Sequence, residues 1–271
     1  MIRFSIITCT LNSEKYILRN IESVKNQTFN NFEHIFIDGF SKDNTVKIIK
    51  NYINNKDDYS NKIKLFQYEP KGIANAFNLG IKHSNGEYLF FLNSDDYFYD
   101  NNVLIDVHKF LNENNLDWIY GMINVVDDKN IFRGLWPRRK ILHFNYKIFF
   151  GRYLMKFYNY IPHQGVFIKK EVFDNFGCFL EDLVYFPDLE YWLRIRNKTK
   201  WSFFNRIIAN YLVHFSAESY NLKNQEIIKK SAKIREEKYL NFVERLLAHI
   251  LGKIIIFLRS KNIFVKNNNE I

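Results

Sequence analysis

The first hundred residues of the chain alternate between two patterns of apolar and polar positions. Four short runs rich in apolar and β-branched residues predict buried strands at residues 3–10, 32–37, 63–68 and 88–92. Three segments between these runs carry apolar residues at helical spacing, namely residues 13–27, 44–52 and 73–83. Ser13 is expected to cap the first helix, on which Ile17, Ile21 and Val24 share one face. Strands that alternate with helices in this way predict a parallel sheet with crossover connections.

The second half of the chain has a less regular pattern. Its predicted helices cover residues 103–112 and 188–196, and its predicted strands cover residues 118–125, 131–136, 165–168 and 206–214. A basic stretch begins at Arg138, and from Lys223 the pattern is long, charged and helical. We therefore predict an α/β domain over residues 1–222, with halves at 1–100 and 101–222, and a helical tail over residues 223–271.

Polar residues collect where the predicted strands of the first half end. Thr10 and Asn12 follow the first strand, Asp38 follows the second, and Asn93, Asp95 and Asp96 follow the fourth. Ligands of parallel α/β sheets bind beyond the carboxyl ends of the strands, so these side chains predict a ligand site. The adjacent carboxylates of Asp95 and Asp96 are hard oxygen ligands that suit Mg²⁺ or Mn²⁺. A polar turn that ends the strand explains the same residues equally well.

Charge and cysteine content narrow the possible classes of protein. The formal net charge is +10, but the basic residues are spread along the chain without a common nucleic-acid-binding motif, so we expect no nucleic-acid partner. A solvated basic surface, an anionic membrane leaflet and a pyrophosphate substrate are all compatible with that charge. Cys9 and Cys178 are the only cysteines, which fits a reducing compartment. No apolar run reaches the roughly 20 residues of a spanning helix, so we expect a cytoplasmic protein.

Five sequence blocks in the first half resemble family 2 glycosyltransferases. They are residues 5–12 (SIITCTLN), 23–28 (SVKNQT), 37–45 (IDGFSKDNT), 71–80 (KGIANAFNLG) and 86–96 (GEYLFFLNSDD). The resemblance continues less closely through residues 163–167 (HQGVF) and 187–194 (PDLEYWLR) and reaches about residue 220. It implies that residues 1–222 form a GT-A catalytic domain, in which helices flank a Rossmann-like, mostly parallel sheet, and that the tail is a C-terminal helical extension.

The resemblance also implies a role for each residue that matches the family's motifs. The nucleotide-sugar donor would be bound by Thr8, Thr10, Asn12, Asp38, Lys71, Asn75 and Asp95. The metal ion, Mn²⁺ or Mg²⁺, would be held by Asp95, Asp96 and His214, although a surface or core histidine is a competing explanation of His214. The acceptor would contact His163, Glu190 and Trp192, and Asp188 would deprotonate the acceptor hydroxyl.

Asp188 has a second rationale, which comes from the predicted helix that it opens. Trp192 lies four residues later and is expected on the same helix face. A carboxylate beside a flat aromatic ring suits a sugar, because the ring packs against the sugar while an oxygen takes a hydroxyl proton. The competing interpretation is an aspartate that interacts with the helix dipole while Trp192 lies in the core.

The chain departs from the family pattern at four positions that matter for the donor. Cys9 and Leu11 replace a common Pro and Tyr, Asn93 stands where many members have the first Asp of the metal motif, and Phe77 occupies an often basic position. These departures leave the donor sugar open. They also leave open a degenerate relative that binds a sugar nucleotide or a partner without turnover.

We therefore predict metal-dependent, inverting transfer of a sugar from a nucleoside diphosphate sugar to an acceptor hydroxyl, with UDP-type donors favoured. The expected acceptor is a saccharide or lipid-linked saccharide of surface polysaccharide or glycolipid synthesis. A sugar-phosphate nucleotidyltransferase is the alternative enzyme, but its Gly- and Arg-rich loop is absent at residues 10–13 (TLNS). The apolar run at residues 246–258 belongs either to a basic amphipathic helix on the cytoplasmic membrane face or to a helix packed on protein.

Overall fold

The chain folds into the α/β arrangement that its alternating pattern predicts. The structure is a computed structural model that describes residues 2–137, 152–214 apart from 154 and 158, 233–234 and 236–246. The strands of the first half are β1 (Phe4–Thr10), β2 (Phe32–Asp38), β3 (Ile63–Gln67) and β4 (Tyr88–Phe91). The helices between them are α1 (Ile17–Lys25), α2 (Thr45–Ile53) and α3 (Ile73–His83).

Helix α1 begins later than the sequence predicts, because Ser13 has other partners. The backbone N–H groups of Tyr16 and Ile17 both donate to the Ser13 carbonyl oxygen at 2.9 Å, so a separate turn precedes the helix. The Ser13 hydroxyl lies 2.8 Å from the hydroxyl of Ser94, and the Ser13 N–H donates to Thr45 Oγ1 at 2.7 Å. Ser13 therefore joins three loops at the edge of the sheet, and its predicted role as the helix cap is wrong.

Between β4 and residue 214, the described part of the chain adds further strands and helices. They are β5 (Tyr97–Phe98), α4 (Val103–Asn114), β6 (Trp118–Asp127), β7 (Phe132–Trp136), β8 (Val166–Lys169), α5 (Lys170–Phe176), α6 (Pro187–Ile195) and β9 (Trp201–Val213). The sequence pattern did not predict β5 and α5. Strand β5 has two residues and α5 has seven, which is too few for either period to become visible.

The strand order brings several chain segments to one edge of a continuous sheet. The order is β3-β2-β1-β4-β8-β6-β9-β5, with β7 paired to β6. Strands β1, β2, β3 and β4 are parallel, β8 is antiparallel to β4 and to β6, and β9 is parallel to β6. The carboxyl ends of β1, β2, β4 and β9 and the amino end of β8 therefore lie along the same edge. We call the residues that follow or precede these strand ends the polar edge.

Helices cover both faces of the sheet and close two apolar cores. Successive strand residues point to opposite faces, so Ile6 packs with Ile17 and Ile21 of α1, whereas Ile7 packs with Phe77 of α3. Burial of each such side chain stabilises the fold by about 1.5–3 kcal/mol. The cores fix the strands in register, and the polar edge is the part of the sheet that they leave uncovered.

Part of the predicted tail packs on the preceding part of the chain. Residues 236–239 and 242–246 are helical, and the ammonium group of Lys156 forms an ion pair with Glu244 at 2.7 Å. The basic stretch from Arg138 and the apolar run beyond residue 246 lie outside the described residues. In the described part of the chain, no helix has both the length and the apolar character needed to cross a bilayer.

Candidate active site

The turn after β4 carries two predicted metal ligands and is held in place by a buried side chain of α1. Asn20 is fully buried, and its Nδ2 donates to the carbonyl oxygens of Asn93 and Asp96 at 2.9 and 3.0 Å. The Asp96 N–H closes the turn by donating to the Asn93 carbonyl oxygen. Sequence reasoning missed Asn20, whose signal is a polar residue on the otherwise apolar face of α1.

Asp95 lies beside His214, which the resemblance alone had linked to the metal. Asp95 Oδ2 is 3.0 Å from His214 Nε2, and the two side chains are 22% and 10% exposed. The imidazole packs against the ring of Tyr16, with 4.8 Å between the centroids. His214 reaches this position because it follows β9, whose carboxyl end lies at the polar edge.

This carboxylate–imidazole pair contains two ligand types that metal sites use, an oxygen and an imidazole nitrogen. The two atoms are at hydrogen-bond distance from each other, so an ion held by both would have to replace that contact. In the ranges that the structure describes, no group of three His, Cys, Asp or Glu side chains could enclose an ion. An ion held by Asp95 and His214 would therefore need additional oxygen ligands from water or from a bound diphosphate.

Asp96 does not fit the predicted role of a metal ligand. It is fully buried, its Oδ1 accepts the Leu212 N–H at 3.0 Å, and Asn93 donates to its Oδ2 at 3.2 Å. Burial, and then the neighbouring charge of Asp95, raise the pKa of Asp96 well above its ordinary value. Asp96 therefore ties the turn to β9 from inside the protein, and Asp95 is the carboxylate that faces outward.

His163 connects the turn after β4, which we call the metal turn because it carries the predicted metal ligands, to the predicted base Asp188. His163 Nε2 lies 3.2 Å from Asn93 Nδ2, and His163 Nδ1 lies 3.7 Å from Asp188 Oδ2. His163 begins the short 3-10 turn His163–Gly165, which leads into β8 at the polar edge. A Cβ on Gly165 would come within 2.6 Å of the Gly121 carbonyl oxygen, so this segment needs glycine to pack closely on β6.

Asp188 opens α6 with its carboxylate partly exposed. Its Oδ1 accepts the Leu189 N–H at 2.8 Å, and the side chain is 14% exposed. Pro187 stands at the first position of the helix, where its missing N–H costs no hydrogen bond. An acidic residue in the first turn is common, because the N-terminal end of a helix attracts negative charge. One imidazole ring therefore separates this carboxylate from the turn of Asn93.

Glu190 and Trp192 do not fit the predicted acceptor site. Glu190 is fully buried and pairs with Arg194, Lys238 and Tyr239. Burial alone would raise the pKa of Glu190, but the hydrogen bonds from these three partners outweigh it and hold the pKa below its ordinary value. Trp192 is also fully buried and stacks on Trp118 at 5.3 Å between centroids. Both side chains stabilise the core side of α6, so neither can touch an acceptor.

Asp38 lies at the centre of a hydrogen-bonded cradle after β2. Its carboxylate accepts hydrogen bonds from the hydroxyls of Thr10 and Ser41, from the Ser41 N–H and from Gln67 Nε2, at 2.5 to 3.1 Å. Asp38 has no exposed surface in this arrangement. The nucleotide base or ribose of a donor could reach the Asp38 carboxylate only if the side chain of Ser41 or Gln67 turned away. The predicted contact between Asp38 and the donor therefore stays a prediction.

Two further predicted donor residues differ in burial: Thr8 lies within β1, and Asn12 lies in the loop that follows it. Asn12 is exposed with a φ of 51°, and its side chain accepts the Lys42 N–H at 2.8 Å, which fixes the loop beside the cradle. Thr8 is fully buried, and its hydroxyl oxygen lies 2.9 Å from His34 Nε2. The Thr8 side chain belongs to a chain of polar contacts under α1 that continues to Tyr59, so its predicted donor contact stays a prediction.

The predicted donor residues Lys71 and Asn75 lie near the carboxylate of Glu181, which sequence reasoning missed. Asn75 and Asn78 donate to the two carboxylate oxygens of Glu181 at 3.0 and 2.9 Å. Hydrogen bonds from Asn78 and Asn75, together with the charge of Lys71, hold the pKa of Glu181 below its ordinary value. These contacts join the first turns of α3 to the segment that leads into α6. No signal in the sequence separates Glu181 from other exposed acidic residues.

Comparison with known proteins gives the family of the chain. The family model described as glycosyl transferase family 2 matches residues 5–176, which include β1 to β8 and the turn of Asp95. The chain belongs to glycosyl transferase family 2. The predicted family is therefore confirmed.

The chain matches very different shares of the length of its relatives. A PGL/p-HBAD biosynthesis glycosyltransferase of Mycobacterium tuberculosis is 26% identical over 224 residues, which are 80% of this chain and 76% of that protein. An uncharacterized glycosyltransferase of Rickettsia bellii is 35% identical over 127 residues, which are 47% of this chain and only 18% of that protein.

Solved structures confirm the fold of this family 2 glycosyltransferase. S. aureus TarS 1-349 in complex with UDP-GlcNAc superposes with a TM-score of 0.67 at 19% identity, over 98% of this chain and 76% of that chain. The mannosyltransferase PcManGT from Pyrobaculum calidifontis, in complex with GDP-Man and Mn²⁺, has a TM-score of 0.60 at 15% identity, over 92% and 64% of the two chains. The mixed α/β architecture is the GT-A fold that the sequence predicts.

Proposed function

We propose that this protein transfers a sugar from a UDP-sugar to an acceptor hydroxyl, with a divalent ion at Asp95 and His214 and with Asp188 as the base. The observation that carries this proposal is the juxtaposition of the two sites. Asp95 and His214 lie 3.0 Å apart at the polar edge, and Asn93 and His163 link the same turn to Asp188. A donor bound at one end of this row would meet an acceptor at the other.

The cradle around Asp38 supports a nucleotide site at the other end of the row. It lies after β2, beside the end of β1, and Ser13 links the β1 loop to the metal turn through Ser94. Since the similar solved structures contain UDP-GlcNAc in one case and GDP-Man in another, both nucleotide bases are worth testing. A UDP-sugar is favoured because the structure bound to UDP-GlcNAc matches nearly the whole chain, at 98% coverage.

The residues at the metal turn would bind and orient the leaving diphosphate. Mn²⁺ or Mg²⁺, when bound, acts as a Lewis acid that neutralises the charge developing on that group. Asp95 and His214 would hold the ion on the outward side of the turn. Asn20 and Asp96 would keep Asp95 in place from the inward side, because both are buried and hydrogen-bonded to backbone groups.

Asp188 would accept the proton of the attacking hydroxyl. As that O–H bond breaks, the acceptor oxygen forms a bond to the anomeric carbon, and the bond from that carbon to the diphosphate oxygen breaks on the opposite face. The electron pair leaves with the diphosphate, and the anomeric configuration is inverted. His163 would orient Asp188, since its Nδ1 is the imidazole atom that faces the carboxylate at 3.7 Å.

The proposed acceptor is a saccharide or a lipid-linked saccharide of surface polysaccharide or glycolipid synthesis. The printed name of the M. tuberculosis relative, which places it in PGL/p-HBAD biosynthesis, supports a biosynthetic role of this kind. Contact with the cytoplasmic membrane face through residues 247–271 is part of the same proposal, because an acceptor held by a lipid would be presented there.

Calorimetric titration of UDP-GlcNAc and GDP-Man, with and without Mn²⁺, tests the donor site. We expect Mn²⁺ to tighten UDP-GlcNAc binding at least tenfold in the natural protein. Asp95→Asn and His214→Ala should each abolish most of that gain. Asp58→Asn is the matched control, because Asp58 is an exposed carboxylate that follows α2 away from the polar edge.

Three results would contradict parts of this proposal. If Mn²⁺ still tightens donor binding to the same degree in both variants, Asp95 and His214 do not hold the ion. Tighter binding of GDP-Man than of UDP-GlcNAc would show that the donor carries guanine instead of uracil. Donor binding without hydrolysis or transfer to any acceptor would favour the degenerate relative that binds without turnover.

A further inference from the structure

Phe186 has an unusual backbone conformation beside the proposed base. Its φ is 61° and its ψ is 35°, which is the left-handed region that bulky residues rarely occupy. The residue stands directly before α6, and its carbonyl oxygen accepts the Glu190 N–H at 3.2 Å. A non-glycine residue in this conformation needs support from its surroundings, and such residues cluster at ligand sites.

The aromatic ring of Phe186 is not fully enclosed by the protein. The residue is 38% exposed, although burial of a phenylalanine is strongly favourable. The ring of Tyr185 lies beside it, with 6.4 Å between the centroids. Val184, two residues earlier, is 54% exposed. Apolar side chains are therefore exposed in the segment that leads into α6, where Phe186 stands two residues before Asp188.

We propose that Phe186 is the platform on which a pyranose ring of the acceptor packs while its hydroxyl faces Asp188. This inference rests on the proposed function of Asp188 as the base. The C–H groups on one face of a pyranose are apolar, and an aromatic ring offers a flat apolar surface with little side-chain freedom to lose on binding. The left-handed conformation sets the direction of the ring at the start of α6, next to the reacting carboxylate.

This assignment replaces the role that the sequence suggested for Trp192. Both aromatics lie within four residues of Asp188, but Trp192 is fully buried and Phe186 is exposed. A platform must be reachable by the substrate, so Phe186 can act as one and Trp192 cannot. The proposed class of acceptor follows from the flat ring: a pyranose should benefit from Phe186, whereas an open-chain polyol has no flat face to pack on it.

The test measures binding of methyl β-D-glucopyranoside, methyl β-D-galactopyranoside and ribitol by saturation-transfer NMR, in the presence of UDP and Mn²⁺. We expect at least one pyranoside to bind the natural protein more tightly than ribitol does. Phe186→Gly should raise its Kd at least fivefold and leave ribitol unchanged, whereas Phe186→Tyr should bind it normally. Phe186→Gly should keep or raise the Tm, because glycine adopts the left-handed conformation without strain.

Lys56→Gly is the control for the backbone effect. Lys56 is exposed and has a φ of 56°, and it lies after α2, remote from Asp188 in the fold. Its replacement should change the Tm in the same direction and leave pyranoside binding unaltered. Normal pyranoside binding by Phe186→Gly, an equal loss of ribitol binding, or no preference for pyranosides in the natural protein would each overturn the inference.

Two further measurements separate this inference from the proposed function. UDP-GlcNAc affinity should be normal in Phe186→Gly, since the cradle around Asp38 is on the other side of the metal turn. If Asp188→Asn abolishes transfer while Phe186→Gly binds pyranosides normally, only the platform is wrong. If Asp188→Asn transfers normally, the proposed base is wrong, and the NMR result then reports on Phe186 alone.

Discussion

Replacement of Asp188 by Asn is the sharpest test of the proposed chemistry. Asparagine has the size of aspartate but cannot take a proton from the acceptor hydroxyl. General-base catalysis contributes roughly 10²–10⁴-fold to such a reaction. We therefore expect the rate of transfer to fall by that factor, which corresponds to about 3–5 kcal/mol on the activation barrier.

The structure predicts only a small effect of this variant on stability. The side-chain oxygen of asparagine can still accept the Leu189 N–H that Asp188 Oδ1 accepts at 2.8 Å. What is lost is the attraction between a carboxylate and the start of α6, which is worth about 0.3–1 kcal/mol. For a chain of this size that loss lowers the Tm by at most about 4 °C. Donor affinity should not change.

The assay compares transfer from UDP-GlcNAc to methyl pyranosides with hydrolysis of UDP-GlcNAc in their absence, alongside thermal unfolding. Asp182→Asn is the matched control, because Asp182 is an exposed carboxylate in the segment before α6 and has no role in the proposed chemistry. Transfer within threefold of the natural rate in Asp188→Asn would refute the assignment of the base. Loss of donor binding in the same variant would show that Asp188 acts on the donor instead.

Two other predictions follow from the contacts of α6 and the tail. Glu190→Gln should lower the free energy of unfolding by about 1.5–3 kcal/mol at pH 7, because buried hydrogen bonds to Arg194 and Lys238 lose their charge assistance. Since the pKa of Glu190 is lowered in the folded state, its stabilising effect is present above the ordinary pKa of a glutamate and is lost as the pH falls through the folded value. The difference in Tm between the two proteins should therefore shrink below about pH 4, and a constant difference down to pH 3 would contradict this account. Removal of residues 247–271, which carry four basic residues, should weaken binding to vesicles of anionic lipid at least tenfold without altering donor affinity. Unchanged sedimentation with those vesicles would favour a tail that packs on protein.

The regular part of the fold could be predicted because each element is long enough to display its period. The strands and helices from β1 to β4 follow the sequence pattern closely, except at Ser13. That residue has the composition of a helix cap, but Thr45 and Ser94 compete for its polar groups from other loops. Contacts of this kind depend on the tertiary fold, and a local pattern cannot contain them.

The candidate site could be predicted in its residue types but not in the direction of each side chain. Asp95 and Asp96 are equivalent in the sequence, and the Leu212 N–H, which comes from the distant strand β9, is what holds Asp96 inside. The helical spacing of Asp188 and Trp192 was correct as geometry. It could not show that α6 turns the tryptophan onto Trp118 while the aspartate lies at the helix end.

The antiparallel pairing of β8 with β4 has a consequence for how the acceptor of such a protein could change. Donor-side and acceptor-side segments belong to one sheet, in which three residues of β4 pair with β8. The pairing of β5 with β9 and the hydrogen bond from Leu212 to Asp96 also join the two sides. Residues 184–186, directly before α6, take no part in any of these contacts. Substitutions there could therefore alter the acceptor while the strands that carry the cradle around Asp38 keep their positions.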